Sequence, residues 1–214
     1  MHALALTGLL GSGKTSLLLG LVERLTARGE RVAIVENERG SIPVDGPYLE
    51  TQGVSMRQIS AGCVCCDLAA PLLWTVELLV QRHRPRWLFL EASGVADAVA
   101  LRASLDDSVR PEIDWRFITL VDAPRFGRMW ADPYGLGHLI DGQAAVADLL
   151  LLTKADAVDR TRLLAAAHTL GGVIRPGVRV LPFAATDPAH PGMVLRAIEE
   201  DVLCLPRATP SVVS

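Results

Sequence analysis

The chain has 214 residues, of which 50% are apolar and 21% are charged. This length suits one well-buried domain, and the composition excludes a disordered or collagen-like chain. Lys and Arg number 21 against 24 Asp and Glu, so the net charge is −3. Since proteins that bind the nucleic-acid backbone need a basic surplus, we expect no nucleic-acid partner.

Short apolar runs alternate with amphipathic stretches along the chain. We predict strands at residues 4–7, 31–36, 87–91, 117–122, 149–153 and 178–183. We predict helices at 14–27, 68–83, 141–147, 159–170 and 192–202, and irregular segments at 39–60, 104–112 and 124–140. Continuous apolar strands separated by helices are typical of a parallel sheet covered on both faces. The expected fold is therefore α/β, a doubly wound and mostly parallel sheet in a single domain over 1–205, with a tail at 206–214.

The N-terminal sequence and the cysteines indicate the cellular compartment. The apolar stretch after Met1 is too short for a signal peptide, and no run approaches the length of a bilayer span. Three of the four cysteines fall within four positions, unlike the cysteines of a secreted disulfide framework. We expect a cytoplasmic protein without membrane association.

A glycine-rich segment near the N-terminus predicts a phosphate site. Residues 8–15 read Gly-Leu-Leu-Gly-Ser-Gly-Lys-Thr, the complete Walker A pattern, between a predicted strand and a predicted helix. Its glycines let backbone N–H groups surround phosphate oxygens, and the helix N-terminus adds its positive dipole end. Lys14 is expected to reach the β- and γ-phosphates, and the Thr15 hydroxyl to bind Mg²⁺. The predicted P-loop NTPase contacts are Gly11, Ser12, Gly13, Lys14, Thr15 and Ser16.

A carboxylate for Mg²⁺ and for the attacking water is expected at the end of a neighbouring strand. Glu91 ends the run Trp-Leu-Phe-Leu-Glu and is our candidate for both roles. Asp122, which ends Phe-Ile-Thr-Leu-Val-Asp, is a second candidate for the same edge. The alternative for either carboxylate is to cap the following helix.

Base recognition is predicted after the apolar run at 149–152. Thr153-Lys154-Ala155-Asp156 lies where guanine-specific GTPases carry Asn-Lys-x-Asp. The Asp156 carboxylate would accept hydrogen bonds from N1–H and the exocyclic amine of guanine, which adenine does not offer. Lys154 would lie along the base, and Thr153 replaces the asparagine. The pattern favours GTP, and the alternative is that Asp156 caps a helix without contacting a base.

The cysteine cluster Cys63, Cys65 and Cys66 predicts a site for a thiophilic metal. A disulfide within so short a segment would be strained, whereas thiolates close together suit Zn²⁺, Cu(I) or a similar ion. Buried packing and thiol redox chemistry are the alternatives. Cys204, far along the chain, is expected to serve packing.

These motifs, in this order, carry a family resemblance. They include Asn37-Glu38-Arg39-Gly40 after the second strand, the Gly62–Cys66 segment and Glu91-Ala92-Ser93-Gly94. Over residues 3–185 the chain resembles the CobW-type GTPases, of the same P-loop class as the nickel chaperones of urease and hydrogenase maturation. The resemblance implies a metallochaperone whose GTP hydrolysis is coupled to metal binding or delivery, with the cysteines and Glu38 at the metal. It also implies a client metalloenzyme or maturation factor and a nucleotide-dependent homodimer.

The sequence departs from the family pattern at several positions. Arg39 stands where members carry an aromatic residue, and Ser41 where they carry a second glutamate. Most members also have a C-terminal domain and often a histidine-rich stretch. This sequence shows neither, and we expect either that a separate partner chain supplies that role or that the client differs.

The resulting hypothesis is a metal-linked GTP switch. Glu91 and Glu38 position water, Lys14 binds phosphate, and hydrolysis of GTP to GDP reorders residues 37–66 and loosens the metal. Turnover is expected to be slow without a partner, with Arg39 and Arg57 as candidate in-chain cations. The alternatives are a small P-loop metabolite kinase and a nucleotide-binding accessory module serving a metal- or corrinoid-dependent enzyme.

Overall fold

The computed structural model describes residues 1–36, 55–58, 69–107 and 113–204, with residues 55–58 and 69–70 described as backbone only. Its strands are β1 (His2–Thr7), β2 (Val32–Glu36), β3 (Ser55–Gln58), β4 (Trp87–Glu91), β5 (Trp115–Asp122), β6 (Leu149–Thr153) and β7 (Arg179–Phe183). Over the described residues they form one 7-stranded parallel sheet in the order β3-β2-β4-β1-β5-β6-β7. The predicted α/β doubly wound sheet is confirmed.

Helices connect the strands. They are α1 (Lys14–Ala27), α2 (Ala69–His83), α3 (Ala98–Asp106), α4 (Phe126–Trp130), α5 (Leu136–Ala145), α6 (Arg160–Gly171) and α7 (His190–Ala197). A 3₁₀ turn at Ala155–Ala157 follows β6, and a π-helical turn at Ile198–Val202 follows α7. None of the helices described combines the length and apolarity needed to cross a bilayer.

The core lies on both faces of the sheet because its central strands are buried along nearly their whole length and are mostly apolar. In β1, Leu4 packs with α1 and α7, whereas Ala5 faces the layer of α2 and α3. In β6, Leu151 joins the first layer and Leu150 packs with α5 and α6. Alternate residues of a strand point to opposite faces, so continuous apolar runs are what a sheet covered on both sides requires.

The topology brings the ends of four strands to one edge. β1 lies between β4 and β5, and the paired positions include Leu6 with Glu91 and Asp122 with Thr153. In open parallel sheets, ligands bind in the crevice outside the carboxyl ends of the strands. The predicted phosphate loop, carboxylates and base motif therefore meet at this edge.

Several predicted boundaries were wrong. β3 lies inside the segment predicted to be irregular at 39–60, because Ser-Met-Arg-Gln is a short edge strand without an apolar run. α4 and much of α5 lie inside the supposed irregular segment 124–140, where glycines misled the prediction. α3 was missed, although Asp97 caps it by accepting hydrogen bonds from the backbone N–H groups of Val99 and Ala100 at 3.0 Å each.

Candidate nucleotide site

The phosphate loop between β1 and α1 adopts backbone conformations that favour glycine. Gly8, Gly11 and Gly13 have φ values of 140°, 72° and 96°. A Cβ on Gly8 would also lie 2.3 Å from the carbonyl oxygen of Leu120, so β5 leaves no room for a side chain there. The loop ends where Gly13 caps α1, whose N-terminus therefore opens directly onto the loop.

Lys14, the first residue of α1, folds back across the loop. Its Nζ donates to the carbonyl oxygen of Gly8 at 2.9 Å and to that of Leu9 at 3.5 Å, and the residue is 5% exposed. The ammonium group is thus held inside the curve of the loop. Ser12 is buried beside it and Ser16 is exposed on the first turn of α1.

Thr15 and Glu91 form a hydrogen bond between the loop and β4. Thr15 Oγ1 donates to Glu91 Oε1 at 2.7 Å, and Glu91 is buried. The register of β1 and β4 places Glu91 beside Leu6, just before the loop begins. A hydroxyl and a carboxylate in this position are the oxygen ligands that Mg²⁺ prefers. The predicted pair for magnesium therefore lies together in the structure.

Gly94 shapes the other side of the loop and was not predicted as a site residue. A Cβ at this position would lie 2.5 Å from the backbone nitrogen of Leu10. The Gly94 carbonyl oxygen accepts a hydrogen bond from Gln143 Nε2 at 3.4 Å. A glycine three residues after Glu91 was visible in the sequence, but its contact with the loop was not.

Asp122 is held by two cations rather than by Thr15. Its Oδ2 accepts hydrogen bonds from Arg125 Nε at 2.8 Å and from Lys154 Nζ at 2.6 Å, and its side chain is 2% exposed. Burial alone would raise the pKa of the Asp122 carboxyl. The hydrogen bonds from Lys154 and Arg125 outweigh burial and lower this pKa below its ordinary value.

Arg125 extends from Asp122 to the phosphate loop. Its Nη2 donates to the carbonyl oxygen of Leu10 at 2.9 Å. Sequence reasoning missed this residue and named Arg39 and Arg57 as the candidate cations. Arg39 lies outside the described residues, and Arg57 is described only as backbone.

The base motif lies at the end of β6. Thr153 is buried and its hydroxyl donates to the carbonyl oxygen of Val121 at 3.2 Å, so this side chain is used to join two strands. Lys154 has a positive φ of 55°. Asp156 is exposed in the 3₁₀ turn, and its Oδ2 accepts a hydrogen bond from Thr186 Oγ1 at 2.9 Å. Thr186, in the loop after β7, is a third residue, after Gly94 and Arg125, that the sequence did not indicate.

The predicted transition-metal ligands lie outside the described residues: Cys63, Cys65, Cys66 and Glu38. Within the part of the chain that is described, no three His, Cys, Asp or Glu side chains are grouped so as to hold a metal ion. Cys204 is exposed rather than packed inside the protein, so the expectation that it serves packing was wrong.

Comparison with known proteins shows the family of the chain. A family model described as CobW/HypB/UreG, nucleotide-binding domain, matches residues 2–182. The zinc chaperone CobW of a Sinorhizobium species is 31% identical over 191 residues, which cover 76% of this chain and 53% of that protein. The chain spans about half the length of the curated relatives it matches.

Solved structures share the fold. Helicobacter pylori HypB in complex with nickel has a TM-score of 0.66 at 20% identity, covering 99% of this chain and 91% of that chain. The Zn(II)-bound YjiA GTPase from E. coli has a TM-score of 0.58 at 24% identity, and the match covers 86% of this chain and 57% of that chain. At these identities the similarity is one of architecture.

Proposed function

Because this chain belongs to the CobW/HypB/UreG nucleotide-binding domain family, we propose that it binds and hydrolyses GTP. We further propose that the nucleotide state governs how the protein binds or delivers a transition metal ion. The hydrogen bond between Thr15 and Glu91 is the observation that carries the GTPase part, because it joins the phosphate loop to a buried carboxylate. Nucleotide binding alone would not require that carboxylate.

The phosphates would occupy the loop at residues 8–15. Lys14 exchanges its contacts with the carbonyl oxygens of Gly8 and Leu9 for phosphate oxygens, which attract an ammonium group more strongly than neutral carbonyls do. Backbone N–H groups of Gly11, Ser12, Gly13, Lys14, Thr15 and Ser16 complete the cradle, aided by the N-terminus of α1.

The oxygens of Thr15 and Glu91 fit Mg²⁺, a hard cation that takes oxygen ligands and retains several waters. Thr15 would be a direct ligand, and Glu91 would hold a ligand water or the attacking water. When bound, Mg²⁺ neutralises charge that develops on the β- and γ-phosphates. Glu38 remains a proposed second residue that positions water.

Guanine would be recognised at the end of β6. Asp156 would accept hydrogen bonds from the base, Lys154 would lie along its face, and Thr186 would hold the Asp156 carboxylate in one orientation. Thr153 supports the site from below through its hydrogen bond to Val121. This arrangement favours GTP over ATP because adenine lacks the matching donors.

The cargo metal would bind Cys63, Cys65 and Cys66, with Glu38 as a further ligand. Thiolates suit Zn²⁺ and other thiophilic ions. Zinc is favoured because a relative at 31% identity is named a zinc chaperone.

We propose residues 1–205 as the GTPase domain and 206–214 as its tail. The proposed partners are a client metalloenzyme or its maturation factor and a second copy of the chain, acting in the cytoplasm.

The hydrolytic proposal is tested by measuring phosphate release from GTP and from ATP with Mg²⁺. We expect release from GTP and not from ATP, and loss of nucleotide binding in Lys14→Ala. Arg160→Ala, which changes an exposed residue of α6, is the control and should match the wild type. Phosphate transfer that requires a small acceptor would favour a kinase. GTP binding without phosphate release, with metal and partner present, would favour the accessory module.

A further inference from the structure

We propose that Asp122 is a positioning residue that couples base recognition to the phosphate loop through two cations, Lys154 and Arg125. The inference rests on the proposed nucleotide-binding function and deepens it. It assigns roles to Arg125 and Asp122 that neither the phosphate nor the base motif requires.

The two cations meet on one carboxylate oxygen. Lys154 Nζ lies 2.6 Å and Arg125 Nε 2.8 Å from Oδ2 of Asp122. The backbone N–H of Arg125 donates to Oδ1 at 3.0 Å, which fixes the carboxylate at the end of β5. Asp122 is paired with Thr153 in the register of β5 and β6, so the residue before Lys154 lies directly beside it. Because the two cations have the same charge and share one oxygen, they repel each other, and each weakens the interaction of the other with Asp122.

Arg125 also controls a peptide unit of the phosphate loop. Its Nη2 donates to the carbonyl oxygen of Leu10 at 2.9 Å. A peptide bond is planar and trans, so fixing the Leu10 carbonyl aims the N–H of Gly11 in the opposite direction, away from Arg125. Gly11 has a φ of 72°, and a glycine there allows this peptide to rotate at little steric cost. Arg125 thus selects the orientation in which the Gly11 N–H is available to phosphate.

The coupling follows from the competition for Asp122. The Lys154 side chain is 47% exposed, so it is accessible to a ligand from solution. When the guanosine moiety binds Lys154, the lysine no longer contacts Asp122. The ion pair between Asp122 and Arg125 then becomes stronger, and Arg125 is fixed more firmly in the position from which it donates to the Leu10 carbonyl. The base then strengthens phosphate binding, and phosphate binding strengthens base binding by the same factor.

The test compares affinities for GDP and for pyrophosphate, both with Mg²⁺, and follows the ratio of the two. The chains are the wild type, Arg125→Met, Lys154→Met and the double variant. When Lys154 is present, we expect Arg125→Met to lower the ratio of GDP affinity to pyrophosphate affinity by at least about threefold. In the Lys154→Met background the same change should alter the ratio by less than about twofold, since guanosine then has no lysine to displace.

Two further variants separate coupling from a general loss of structure. Arg128→Met changes an exposed arginine on α4 and should leave the ratio unchanged. Arg125→Lys keeps the positive charge and should restore part of the affinity ratio that Arg125→Met loses. Thermal unfolding of each variant checks that it is folded. An unchanged ratio in Arg125→Met, or an equal fall with and without Lys154, would overturn the coupling. A wild-type chain that binds neither ligand would instead contradict the proposed function.

Discussion

Thr15 and Glu91 are 76 positions apart in the chain, yet Thr15 Oγ1 donates a hydrogen bond to Glu91 Oε1 at 2.7 Å. The contact exists because β1 and β4 are parallel neighbours whose carboxyl ends lie at one edge of the sheet. A helix that begins at the phosphate loop thereby presents a hydroxyl to a buried carboxylate. Substitutions in this pair can therefore distinguish the proposed hydrolysis of GTP from nucleotide binding.

Replacing Glu91 with glutamine keeps its size but removes its charge. We expect GTP hydrolysis to fall by about 100-fold or more, because a positioned charge acting on the transition state is lost. GDP affinity measured without Mg²⁺ should change by less than about threefold, since Lys14 and the loop still bind phosphate. Glu23→Gln, on the exposed side of α1, is the control. Equal losses in hydrolysis and GDP binding would show that Glu91 only supports the loop.

Replacing Asp156 with asparagine should change base preference. An amide N–H₂ repels the amine of guanine but donates to the 2-oxo group of xanthine, so affinity should move from GDP to XDP by about tenfold or more. Thr186→Val, which removes the hydroxyl that contacts Asp156, should lower GDP affinity by about threefold without raising XDP affinity. Nucleotide titrations check both variants. Unchanged GDP affinity in Asp156→Asn would mean that Asp156 does not contact the base.

Replacing Gly94 with alanine should displace the phosphate loop. The added Cβ would lie 2.5 Å from the backbone nitrogen of Leu10, and backbone at that distance has to move. We expect GDP affinity to fall by about tenfold, and the free energy of unfolding to fall by about 1–3 kcal/mol. Gly127→Ala is the matched control, because nothing lies within 4 Å of its added Cβ. If Gly94→Ala bound GDP like Gly127→Ala, the loop would not depend on this close contact.

The ion pairs of Asp122 should make stability depend on pH. Its folded pKa is below the ordinary value of 3.8, so its contribution is fully present above that pH and is lost as pH falls through the lower, folded pKa. Urea unfolding should therefore show that Asp122→Asn is less stable than the wild type near neutral pH. The difference should shrink below about pH 4. Asp107→Asn, an exposed position after α3, serves as control, and a difference independent of pH would contradict this cause.

The sequence predicted the parts of the fold that depend on local pattern. The run Leu149–Thr153 is buried at every position, and an apolar strand followed by a helix was sufficient to place it in a parallel sheet. The Walker A loop was equally visible because its chemistry requires particular residues at fixed spacing. β3 was not predicted because its four residues, Ser-Met-Arg-Gln, contain no apolar run.

The contacts that the sequence could not predict join segments far apart in the chain. Arg125 reaches Leu10 across 115 positions, and Thr186 reaches Asp156 across 30. Neither contact leaves a local pattern, because an arginine or threonine in a loop is usual on a protein surface. Only the order of the strands brings these side chains together, and that order was not predicted.

Zinc affinity, measured by chelator competition, tests most directly whether nucleotide state and metal affinity are coupled in this protein. The reduced protein is compared without nucleotide, with GDP, with a non-hydrolysable GTP analogue and with the matching ATP analogue. A variant with Cys63, Cys65 and Cys66 changed to serine shows which binding belongs to the cluster. We expect zinc affinity to differ by at least about tenfold between the GTP analogue and GDP, with no effect of the ATP analogue. Weak zinc binding that is the same in every nucleotide state would contradict this coupling.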